Sequence, residues 1–167
     1  MAGLAATPLR AVAGHRTNAV RWSAAALGAA GLSLAAGWIH FAYVSSHWQN
    51  WWAYGMFFLV AGVFQALFAP AILKWPTRWT ALAGIAGNLA IIGMYVMSRT
   101  YGIPMGPHIG VVEKATAIDL GCTAGEIILV GILLGMVGTT SRRLIINLLL
   151  VVGVALWVLR LTNNPLI

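Results

Sequence analysis

Apolar residues run almost unbroken through five stretches of the chain, 23–44, 53–73, 80–98, 117–138 and 144–161. Polar residues gather in the breaks between them, which read "SSHWQNWW", "KWPTRW", "RTYGIPMGPHIGVVEKAT" and "TTSRR". A membrane-crossing helix takes about 20 predominantly apolar residues, and the runs approach or reach that length. The fifth has the shortest apolar core, ending at Arg160. The short connections make consecutive helices antiparallel neighbours. The pattern therefore predicts an all-α integral membrane fold, an antiparallel bundle of five transmembrane helices over 23–161, with tails at 1–22 and 162–167. The first run follows Arg10, Arg16 and Arg21 as a secretory leader would. It continues through Trp38 and Phe41 to Val44, however, which is long enough to span.

Composition agrees with this reading. Of the 167 residues, 60% are hydrophobic and 8% charged, with a mean hydropathy of +0.87. Soluble domains carry about 25% charged residues. The net charge of +7 does not point to nucleic acid, because the basic residues stand singly or in pairs between apolar runs. They set topology instead. With the N-terminus inside, Arg10, Arg16, Arg21, Lys74, Arg78, Arg142 and Arg143 are cytoplasmic, and only Arg99, Lys114 and Arg160 are outside. The aromatics agree: Tyr43, Trp48, Trp51, Trp52, Tyr54, Tyr95 and Tyr101 gather at the outer interface, Trp22, Trp75 and Trp79 at the inner one. Such rings favour that layer because an apolar body carries one polar tip. The single cysteine, Cys122, excludes an internal disulfide framework.

The informative residues are the polar ones that remain inside the spans. A polar side chain in hydrocarbon is costly and normally faces the bundle interior with a partner. Counting 1.5 Å per residue from the outer helix ends puts Glu126 roughly 14 Å deep, Asn88 about 15 Å and Gln65 about 18 Å. These three form one layer near the midplane. A second layer above it holds His40, Asp119 and Arg99, with His47, His108 and Glu113 in the outer loops. Asp119 and Glu126 are seven apart, so they share a helix face with Cys122 and Thr123 between them. His40 and His47 share a face only if the first helix continues through "SS" to His47. The inner half of the fourth span, "IILVGILLGMV", is wholly apolar. The expected arrangement is a polar cleft open on the outside and closed toward the cytoplasm, which disfavours a through-pore or ion transporter.

Each of these residues also has a plain structural reading. Glu126 can be a neutral carboxyl bonded to Gln65 or Asn88, serving with them as helix glue. His40 can be an interfacial histidine turned toward Asp119 or His108, His47 and His108 wetted loop residues, and Arg99 a partner of Glu113 or Asp119. The prolines and glycines of "SRTYGIPMGPHIG" imply a stiff connector able to present His108 over the bundle mouth. Taken together, His40, His47, His108, Asp119 and Glu126 supply imidazole and carboxylate ligands suited to copper or zinc, with Gln65, Asn88 and Arg99 as a supporting polar layer. Haem is disfavoured because only His40 lies within a span. No His-Glu-x-x-His, Gly-x-Ser-x-Gly, phosphate loop or dinucleotide fingerprint is present.

The stretches "IHFAYVSSHW" and "GNLA…SRTYGIPMGPHIG", with the "D…E" pair of the next helix, resemble a group of small multi-spanning membrane proteins of high-GC Gram-positive bacteria with no assigned activity. The resemblance covers most of 37–134. It implies a bacterial plasma membrane location and carries no catalytic residue across. The sequence reading is thus a multi-pass protein of the lipid bilayer with an outward-facing His/carboxylate cleft for a metal ion or small polar ligand, accessory to an exported metalloprotein. The alternative is a non-catalytic subunit of a larger membrane complex.

The orientation is directly testable. A reporter active only outside the cell should be active when fused after Ile167 and silent when fused after Arg143. The reverse pattern would reject the N-in, C-out topology.

Overall fold

The computed structural model of the protein describes residues 23–162; the basic tail 1–22 and the C-terminal residues 163–167 lie outside the described residues. It is all-helical, with α1 (Ala24–Asn50), α2 (Trp52–Lys74), α3 (Arg78–Thr100), α4 (Ala117–Met136) and α5 (Thr139–Thr162). All five are long and apolar enough to cross a membrane. Three helix starts are set by side-chain caps. The hydroxyls of Ser23, Thr77 and Thr116 accept from the backbone N–H of Ala26, Thr80 and Asp119. At α4 the Asp119 carboxylate returns the bond to the Thr116 N–H, completing a capping box.

α1 runs six residues past the apolar stretch that predicts it. "SSHWQN" contains neither glycine nor proline, and Ser46 Oγ and His47 Nδ1 both bond back to the Tyr43 carbonyl, at 3.0 and 2.9 Å. The polar break therefore stays helical to Asn50, and Trp51 alone, in extended conformation, links α1 to α2. The extension carries His47 onto the same helix as His40, two turns apart.

α1 packs against α2 and α4, and α3 against α4 and α2. Small residues permit the closest of these approaches: a Cβ at Gly37 of α1 would lie 3.3 Å from the Gly62 carbonyl oxygen of α2. The half of the bundle nearest the α2–α3 turn is filled by an apolar cluster that includes Phe68, Ile72, Ile85, Leu129, Leu133 and Val137. No polar route continues through it among the described residues. α5 is peripheral; none of 139–156 is buried, although Ile145 touches the edge of the cluster.

The 101–116 loop caps the opposite end. Tyr54 donates its hydroxyl to the Met105 carbonyl at 2.9 Å, and the Glu113 N–H bonds the Ser98 carbonyl at 3.1 Å. Gly106 takes φ +86°, and a Cβ there would stand 2.7 Å from the Trp51 ring and 2.8 Å from the Tyr54 oxygen. Gly110 also has positive φ, +70°, but faces open space. Gly106→Ala should therefore lower stability by more than the ~1–3 kcal/mol of backbone strain alone, and Gly110→Ala by no more than that strain. Thermal melts followed by tryptophan fluorescence should rank wild type above Gly110→Ala above Gly106→Ala. Equal melting temperatures for the two variants would show that the loop is not seated on Trp51 and Tyr54.

Candidate functional site

Four of the polar side chains predicted to lie inside the spans meet in one buried layer. Gln65, on α2, is fully buried, and both ends of its amide are used. Its Nε2 donates to Glu126 Oε1 of α4 at 2.8 Å and to Asn88 Oδ1 of α3 at 3.2 Å. Its Oε1 accepts from His40 Nδ1 of α1 at 3.0 Å. Asn88 Nδ2 donates onward to the Gly84 carbonyl, and Ser33 of α1 donates to the Gln65 carbonyl, each at 2.8 Å. One amide thus joins four helices, and the common depth of Gln65, Asn88 and Glu126 expected from helix counting is realised as direct bonding.

His40 lies deeper than the sequence suggests. Counted from Val44 it is about 6 Å below the helix end; counted from Asn50, where α1 stops, it is about 15 Å. It therefore joins the Glu126 layer and not a shallower layer with Asp119. Its Nδ1 also lies 2.9 Å from the Ala36 carbonyl, which can only accept. The proton is accordingly on Nδ1, and Nε2 presents its lone pair. That nitrogen stands 3.9 Å from Glu126 Oε1 and makes no hydrogen bond to a described residue. Cys122, one helical turn before Glu126, places its sulfur 4.0 Å from the same carboxylate oxygen. The ligand atoms of His40, Cys122 and Glu126 all lie within 4.8 Å of one another.

Above this floor is a cavity of about 170 Å³ that reaches up to the 101–116 loop. Its walls are largely apolar, and Tyr43, Trp51, Tyr54, Phe57, Phe58 and Tyr95 are among the lining residues. His47 lines it too, stacked on Phe58 at 3.8 Å between ring centroids, while the His40 ring is tilted against the same Phe58 at 5.6 Å. Asp119 contributes to the cavity but is engaged elsewhere: Arg99 Nη2 donates to its Oδ2 at 2.9 Å, and Nη1 of the same guanidinium meets Glu113. Arg99 therefore binds both carboxylates that the sequence offers it. His108 stands exposed on the loop and is not among the lining residues. Of the metal ligands proposed from sequence, the structure brings His40 and Glu126 together, gives Asp119 to Arg99, sets His47 against Phe58 and leaves His108 outside. Cys122 is the contributor that sequence reasoning did not select, although its i, i+4 spacing from Glu126 was readable.

No family model, curated protein or solved structure matches the chain, so a functional reading rests on this chemistry alone.

Gln65 should be the residue the layer cannot lose. Gln65→Leu leaves Glu126 and Asn88 without their donor and His40 with one acceptor fewer, each unmet buried group costing about 1–3 kcal/mol. Glu126→Gln keeps an oxygen for Gln65 Nε2 and should leave the fold intact. Unfolding of purified protein by SDS titration should separate the two variants clearly; equal stability would mean that the network does not hold the helices.

Proposed function

We propose that the protein is a multi-pass bacterial plasma-membrane protein that binds a transition-metal ion, copper or zinc, at His40, Cys122 and Glu126, in a cleft open to the outer face. The observation that carries this reading is the convergence of one imidazole nitrogen, one sulfur and one carboxylate oxygen within 4.8 Å. Around a tetrahedral zinc with bonds of 2.0–2.3 Å, ligand atoms lie about 3.4–3.8 Å apart. The separations of 3.9 and 4.0 Å from Glu126 Oε1, and the His40–Cys122 separation within 4.8 Å, are longer than this, and coordination would draw the three side chains together. The histidine is already set as a ligand. Its Nδ1 proton is held by a carbonyl, the arrangement that fixes a metal-binding tautomer and aims Nε2 at the ion. Sulfur and imidazole together suit zinc or copper rather than magnesium or calcium. Three protein donors leave room for one exogenous ligand from the cavity, as in zinc sites that are not purely structural. An accessory role toward an exported metalloprotein follows if the cleft faces outward.

The alternative reading is a subunit of a larger membrane complex, and α5 favours it. A helix with none of 139–156 buried offers a whole surface to lipid or to a partner span. In that case the layer around Gln65 is glue, and the protein copurifies with other subunits without stoichiometric metal.

Zinc or copper added at about 100 times Kd should stabilise the purified protein by roughly 2.7 kcal/mol, raising its melting temperature. His40→Ala should abolish the shift, and Cys122→Ser should reduce it while leaving the metal-free melting temperature nearly unchanged. A melting temperature indifferent to both ions, together with no metal by elemental analysis, would reject the metal reading.

A further inference from the structure

We infer that the chamber above the polar layer binds a small organic cation, a protonated amine on an apolar body about the size of a benzene ring, with its ammonium group against Glu126 and His40. This goes beyond the metal reading and shares Glu126 with it, so the two ligands compete.

Charge is the first argument. The chain has ten lysines and arginines and only three acidic residues, Glu113, Asp119 and Glu126. All three line this one cavity, and Arg99 is the only lysine or arginine among its lining residues. A protein that is strongly basic overall thus concentrates its entire acidic complement on one hollow, whose apolar walls focus the field. Arg99 spans Asp119 and Glu113. Glu126, 2% exposed, is left as the acidic residue with no guanidinium or ammonium of a described residue beside it.

The unused hydrogen-bonding atoms point the same way. His40, 6% exposed, lines the cavity with Nε2 free of any hydrogen bond to a described residue. Glu126 Oε1 accepts from Gln65, whereas Oε2 makes no hydrogen bond to a described residue. With Glu126 ionised, both free atoms are acceptors, so the missing partner is a donor. An ammonium group brings three N–H donors and no acceptor.

Size and lining define the rest of the ligand. A cavity of about 150 Å³ is known to admit benzene, and this one measures about 170 Å³. A bare ion would leave most of it unfilled. The rings of Tyr43, Phe57 and Phe58 line the cavity and supply apolar contact for such a body, and aromatic rings also attract a cation. The chamber already contains such a pairing between the chain's own side chains: the Arg99 guanidinium sits 5.0 Å from the Tyr95 ring centroid while hydrogen-bonded to Asp119.

The test uses full-length protein in nanodiscs, stripped with EDTA, with benzylammonium as probe and benzyl alcohol as its neutral counterpart. Titration calorimetry against empty nanodiscs should show saturable binding of benzylammonium and at least tenfold weaker binding of benzyl alcohol. Glu126→Gln, checked for an unchanged helical spectrum, should weaken benzylammonium by about tenfold to a hundredfold, the range expected for one charge-assisted hydrogen bond. Equal affinity for the amine and the alcohol, an unaffected Glu126→Gln variant, or no binding of benzylammonium would each overturn the proposal. Zinc separates the two readings: displacement of bound benzylammonium by one equivalent supports both sites on Glu126. Amine binding that zinc never disturbs leaves this inference standing and removes the metal site.

Discussion

The buried amide of Gln65 is the constraint from which the rest of the structure follows. Polar groups buried between helices and away from the cavity must be answered by another helix. Gln65 answers three of them with one side chain, donating to Glu126 and Asn88 and accepting from His40. Each bond crosses to a different helix, so the amide fixes the rotation of α1, α3 and α4 relative to α2. That rotation turns His40 and Glu126 inward and orients the histidine ring. Packing alone, among surfaces rich in alanine and glycine, would define these rotations weakly, because small residues let helices approach without setting a unique azimuth.

With that layer in place, the bundle divides into two unlike halves. Toward the α2–α3 turn, Ile72, Leu129 and Leu133 are wholly buried and close the interior. Toward the 101–116 loop the helices hold a cavity, because rings from α1 and α2 stand along its wall and the loop is pinned over them by Tyr54. The polar layer is the floor where the halves meet. A hollow with a polar floor that ends on an apolar plug suits holding a ligand better than passing one through.

Much of this was legible in the sequence, and the failures share a cause. Depth counting placed Gln65, Asn88 and Glu126 together correctly because the helices that carry them end within two residues of where hydropathy stops. It misplaced His40 because hydropathy marks where lipid ends, while helicity is decided by backbone bonding. "SSHWQN" is polar yet helical, so the ruler had the wrong zero. The Thr116-x-x-Asp119 capping box was readable and explains why Asp119 is fixed at the start of α4. The direction of the 101–116 loop was not readable. Its prolines and glycines announce stiffness, but whether His108 points over the mouth or away depends on how Gly106 seats against Trp51 and Tyr54, which is tertiary information.

The placement of charge completes the argument. A basic membrane protein needs no acidic residue to fold or to orient itself, since topology follows the distribution of lysine and arginine. Two of the three acids here do have structural duties: Asp119 caps α4 and holds Arg99, and Glu113 holds Arg99 from the loop. Glutamine at position 126 would satisfy Gln65 equally well without placing an ionisable group in hydrocarbon, where even insertion scales assign an acidic residue about 2.5–3.5 kcal/mol at a helix centre. The carboxyl is therefore more than the network around Gln65 requires. A carboxylate oxygen of Glu126, the free nitrogen of His40 and the sulfur of Cys122 lie within 4.8 Å of one another, and the three residues line one hollow. An ionisable carboxyl beside a free imidazole nitrogen and a thiol is the feature on which the proposed binding of a metal ion or an amine rests.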